Sequence, residues 1–107
     1  MLRIYAVSLS IVRDVQPVVQ IIARRDPNLA DQLDRSTTSA PLNIAEGSYS
    51  RGRNRNKHYH IALGSTREGL SCLEVAHAKG IIAHLDESLV DRMRHVIGTL
   101  VNIVGVN

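Results

Sequence analysis

Four cations at alternate positions, Arg51, Arg53, Arg55 and Lys57, with His58 and His60 just beyond, form the densest cluster of charged chemistry in the sequence. Arginine forks offer paired N–H donors to phosphate oxygens, and lysine adds a compact point charge. The cluster leads into a helix, whose N-terminal dipole is already positive, so each cation there costs about 0.3–1 kcal/mol and Asp or Glu would be the structural preference. A bound phosphate reverses that balance, because helix N-terminal amides and arginine side chains both favour an anion. No aromatic platform is expected beside these charges, so the expected contact is with the phosphate backbone of RNA or DNA, without base readout. The alternative is a structural or protein-interaction module whose basic loop stays in solvent or meets an acidic protein, with no nucleic-acid role.

The remaining polar candidates read as structural. Asn43 and Glu46 stand three residues apart, on one helical face beside Ile44 and Ala45, which predicts an internal polar network completed by Arg35 or Arg67. Glu74 and His77 make a single Glu-x-x-His step, whereas a di-iron bundle needs two such steps and two further carboxylates, so no metal site is expected. His58 and His60 point to different sides of a helix and cannot chelate together. Cys72 has no neighbouring base and reads as a small core residue. Phosphate loops, nucleophile elbows and zinc-spaced clusters are missing, so the chain is expected to be non-catalytic and to carry no cofactor.

These groups must be carried on helices. The 107 residues suit one domain spanning the whole chain, 44% of them hydrophobic but only 3% aromatic, with neither Trp nor Phe. Aliphatic interiors of this kind favour helix packing over strands. Ile4, Ile11, Val15, Val18 and Ile22 recur at helical spacing, with Val12 and Val19 in a second stripe and a kink expected at Pro17. Asp26 and Pro27 open a second helix with Ala30, Leu33, Thr37, Ala40, Ile44 and Ser48 inward and Pro41 inside it. A third begins near Asn54 or Asn56 and ends at Lys79, with Tyr59, Ala62, Thr66, Leu70 and Leu73 inward. Its small residues, Gly64 and Gly69 among them, predict a close helix neighbour. Asp86 caps a fourth helix, in which Leu89, Met93, Val96, Leu100 and Ile103 form one stripe and Val90, Ile97, Val101 and Val104 another. The fold class is therefore all-α, an antiparallel up-down four-helix bundle, and the spare stripes predict a homo-oligomer, the alternative being an irregular bundle in which these valines are half-buried.

The apolar run from Ile4 to Val12 stops at Arg13 and Asp14, short of the roughly 20 residues of a membrane span and lacking a signal-peptide cleavage site. A lone cysteine fits a reducing compartment, and the expected location is cytoplasmic, away from membranes. The net charge of +3 mildly favours an anionic partner.

The run Gln32-Leu33-Asp34-Arg35, followed by Pro41 and Asn43-Ile44-Ala45-Glu46-Gly47, then the basic segment, then Ile61-Ala62-Leu63-Gly64-Ser65 with Glu68 and Leu70, carries a recognisable pattern. It resembles the signature of the four-helix bundle proteins encoded in bacterial ribosomal RNA intervening sequences. Glu74, Gly80 and Ile81 also fall on that pattern, which covers most of the chain from Gln32 onward. Ser48 departs from it where an aromatic is common, and Gly69 interrupts the usual Glu-Leu step. The resemblance implies a closed bundle that assembles into homopentamers. It also implies kinship with the accessory protein of diversity-generating retroelements, a basic protein that associates with nucleic acid and a reverse transcriptase. On that basis the implied partners are further copies of the chain, RNA or DNA, and a reverse transcriptase or other protein.

Overall fold

In the computed structural model, which describes residues 2–105, the apolar periodicity becomes four helices: α1 (Arg3–Ala23), α2 (Pro27–Tyr49), α3 (Gly52–Ala78) and α4 (Glu87–Val104). No strand occurs among the described residues. Two of the starts are set by carboxylates. Asp26 accepts the Leu29 backbone N–H at 3.1 Å, with Pro27 in the first turn where its missing N–H costs nothing, and Asp86 accepts that of Leu89 at 3.2 Å. The end of α3 is a complete glycine cap. Gly80, at φ +72°, donates to the His77 carbonyl at 3.0 Å while Ile81 donates to that of Ala76 at 2.9 Å.

The start of α3 differs from the expectation of an Asn54 or Asn56 cap. Gly52, at φ +60°, lets the chain turn sharply after α2, so the helix begins there with Arg51 as an extended N-cap residue. Asn54 instead donates from Nδ2 to Ser50 Oγ at 3.0 Å. Both α1 and α2 continue as single helices through Pro17 and Pro41.

Each helix packs on its neighbours in sequence, and α1 also meets α4, so the four close into a ring. The links between them are short, residues 24–26, 50–51 and 79–86, which obliges successive helices to run antiparallel. The 27-residue α3 sets the long dimension of the 42 × 23 × 19 Å molecule, since about 1.5 Å per residue gives close to 40 Å.

The interior is aliphatic, as composition requires: Ile4, Val15 and Ile22 of α1, Leu33 and Ile44 of α2, Leu73 of α3, and Leu89, Met93 and Leu100 of α4 are sealed from solvent, with Tyr59 the one fully buried ring among the described residues. Each such side chain contributes about 1.5–3 kcal/mol on burial. The second stripes follow the alternative reading of half-buried side chains in place of a free apolar face. Val12, Val19, Ile97, Val101 and Val104 are half-buried and Val90 is buried, while the exposed large apolar residues are Leu9, Ile21, Leu42, Tyr49, Ile61 and Val75. Close approach of α2 to α3 occurs at Gly69, where an added Cβ would lie 3.1 Å from Thr37, but not at Gly64. The apolar run near the N-terminus also proves longer than expected: α1, at 21 residues, is by length and composition able to cross a bilayer, although here it lies against α2 and α4.

Candidate nucleic-acid interface

One end of the bundle gathers the start of α1, the end of α2, the start of α3 and the end of α4. Leu2, Ser48, Arg55 and Tyr59 line an open cleft of about 270 Å³ there, and Gly52, Arg53, Arg55, Asn56, Tyr59 and Ile103 line another of about 520 Å³. Arg51, Arg53, Arg55 and Lys57 are all exposed at this end, and none joins an ion pair among the described residues. Because the segment is helical from Gly52, positions two apart are turned roughly 200° from one another. Arg53 and Lys57 therefore share one side of α3, and Arg55 faces elsewhere. Its guanidinium lies 5.4 Å from the centroid of the Tyr59 ring, a cation–π contact that caps the core.

Tyr59 is only 1% exposed, and its hydroxyl lies 3.4 Å from Ser48 Oγ. The ring rests on Gly47, where an added Cβ would meet it at 2.5 Å. The glycine that closes the Asn43-to-Gly47 run is thus explained by the tyrosine that opens the next motif. The helix start itself is bare: no side chain caps it and no carboxylate stands in its first turn. Residues 2–9, 46–61 and 98–105, which build this end, carry five cations, Arg3 included, against one carboxylate, Glu46. Residues 20–35 and 72–92, toward the other end, carry seven carboxylates against five cations.

The expected Asn43–Glu46 network holds only for Asn43. Half-buried, Asn43 donates from Nδ2 to the Ser39 carbonyl at 3.0 Å and to Ser39 Oγ at 3.2 Å, and its Oδ1 lies 3.0 Å from His58 Nδ1. Ser65 Oγ donates to Ser39 Oγ at 2.9 Å, so a polar seam joins α2 to α3. Glu46 is exposed, with no hydrogen bond or ion pair among the described residues, because three residues of helix carry it past the seam to the solvent side. Arg35 pairs with Asp31 at 3.0 Å instead, and Arg67 is exposed.

A four-helix ring with this polar seam and this Gly47–Tyr59 contact is the frame on which the sequence pattern sits. The chain matches the family model described as 23S rRNA-intervening sequence protein over residues 1–102. It belongs to that family. Its structure is also similar to a protein of unknown function of the S23 ribosomal protein family from Bacteroides thetaiotaomicron. The TM-score is 0.82 and the identity 19%, covering 96% of this chain and 99% of that one. At that identity the likeness is one of fold alone. No curated protein matches.

Within this family frame, two further residues belong to the basic end, Tyr49 and Arg3. Tyr49 is 82% exposed and stands two residues before Arg51, so an aromatic does accompany the charges, contrary to expectation. Its alternation with serine in Ser48-Tyr49-Ser50 gave the only local signal. Arg3 joins the cluster only because α1 begins where α3 begins, a long-range fact. Among the described residues no group of three or more His, Cys, Asp or Glu side chains could hold a metal ion, and Glu74 and His77 are both exposed. Cys72 is buried, and burial, with Glu68 nearby, pushes its thiol above the ordinary value, away from the reactive thiolate.

Proposed function

We propose that this protein is a non-catalytic binding module whose basic end holds the phosphate backbone of RNA or DNA. The observation that carries the reading is the concentration of unpaired cations at one end of the bundle, Arg51, Arg53 and Lys57 foremost, around a helix start that has neither a cap nor a carboxylate. Free amides and guanidinium groups there leave an anion as the complementary partner. In this reading Arg55 serves two roles, covering Tyr59 and lending its charge. The protein works as a homo-oligomer, a pentamer by the family resemblance, in the cytoplasm, which brings several basic ends into one particle and raises affinity through multivalency.

Electrophoretic retention at low salt tests the phosphate reading. Replacing Arg51, Arg53 and Lys57 together by serine is expected to weaken RNA and DNA alike and to lower the slope of log affinity against log salt by about one per lost contact. Unchanged retention by the triple variant overturns it. A second reading rests on Leu42, which is 62% exposed on the same helix as Tyr49 and suits a protein surface better than a phosphate. There the basic end meets an acidic protein, or a reverse transcriptase as the resemblance implies. Recovery of one such protein from extract after nuclease treatment, with no retention of nucleic acid, favours that reading.

A further inference from the structure

Tyr49 is the last residue of α2, and 82% of its surface is open to solvent. The core aromatic at this end is Tyr59, 1% exposed, and the Tyr49 ring stands outside that core. The backbone beside it is held. Ser50 donates its backbone N–H to the Gly47 carbonyl at 3.2 Å, and Asn54 ties Ser50 Oγ to α3 at 3.0 Å, so the ring stands at the end of α2 next to a braced two-residue link, two residues before Arg51. An exposed ring two residues from Arg51, at the bundle end that also carries Arg53 and Lys57, offers both needs of an unpaired nucleotide, a surface for the base and donors for its phosphates.

We propose that Tyr49 is a stacking platform for an unpaired base, so that the basic end selects single-stranded RNA or DNA over duplex. The inference rests on the phosphate-binding reading above and adds the form of nucleic acid to it. In a duplex both faces of each base are covered by its neighbours, and the phosphates alone remain to be gripped. In a single strand a base is free to lie on the phenol ring while Arg51, Arg53 and Lys57 follow the backbone on either side. Every base has a π-face, so the selection is by strandedness and carries little sequence preference.

Fluorescence anisotropy with a labelled oligo(dT) strand of about 20 nucleotides, and with a duplex of the same length, separates the two claims. Tyr49→Ala is expected to weaken the single strand about tenfold or more while leaving the duplex within about twofold, and Tyr49→Phe, which keeps the ring, is expected to match the native protein. Equal weakening of both probes, or of neither, overturns the platform. So does a change in the particle mass of Tyr49→Ala by light scattering, which would mean that the ring lies between copies of the chain. The serine replacements at Arg51, Arg53 and Lys57 report separately: if they leave both probes bound, the phosphate reading fails whatever Tyr49 does.

Discussion

Gly47 shows how a single atom decides the basic end. The Tyr59 ring occupies the space of a Cβ at this position, and the ring is in turn boxed by Ser48 and Arg55. Gly47→Ala is expected to cost about 1–3 kcal/mol, the usual penalty for overpacking a filled core, read as a lowered denaturant midpoint. Alanine at exposed Gly64 meets nothing and is expected to stabilise the helix by about 1 kcal/mol, and an equal gain at Gly47 would contradict the contact. Asp14 makes a second residue-scale case. Its carboxylate accepts hydrogen bonds from Arg13 and then from Arg92, which reaches across from α4 at 2.9 Å, and these hold its pKa down from 3.8 to about 2. A group more acidic folded than unfolded stabilises the fold above its unfolded value, and that contribution fades as pH falls from 3.8 through about 2. Urea titrations across that window are expected to show a shallower loss of stability for Asp14→Asn than for the native protein.

At the scale of the helix, α1 carries one misplaced polar group. Ser8 is buried on the core stripe between Ile4 and Ile11, and its hydroxyl has no hydrogen-bond partner among the described residues. An unmet buried hydroxyl costs about 1–3 kcal/mol, so Ser8→Ala is expected to stabilise the protein by about 1 kcal/mol. In a domain of this size that raises the thermal midpoint by about 4–8 °C, and a lowered midpoint would show that the hydroxyl is satisfied in solution. The start of α4 works the other way. Asp86 meets an amide of the first turn, and Asp86→Ala is expected to cost about 1 kcal/mol in the same thermal measurement. Its counterpart Asp26 also binds Lys79 at 3.0 Å, which ties the start of α2 to the end of α3.

The whole molecule is electrically lopsided, with cations collected at one end and carboxylates in excess toward the other. Association with a polyanion is therefore expected to be oriented, basic end first, and to weaken steeply with salt. Among the described residues six large apolar ones remain exposed over the helices, and covering part of that surface is the physical reason to expect self-association. Light scattering at micromolar concentration is expected to give a multiple of 11.8 kDa, and a particle of that single mass would refute the assembly.

Apolar spacing alone determined the four helices, because a stripe repeating every three or four residues must be buried on one side. Local chemistry likewise marked Asp26, Asp86 and Gly80 as boundaries, since caps act within a single turn. Tertiary structure decided what spacing cannot encode. The angle at which Glu46 leaves α2 put it in water while Asn43 reached His58. The early start of α3 at Gly52 divided the basic row between two sides of a helix. Most of all, ring closure brought Arg3 to the same end as Arg51, because the juxtaposition of distant residues depends on how the helices are joined and not on the periodicity within any one of them.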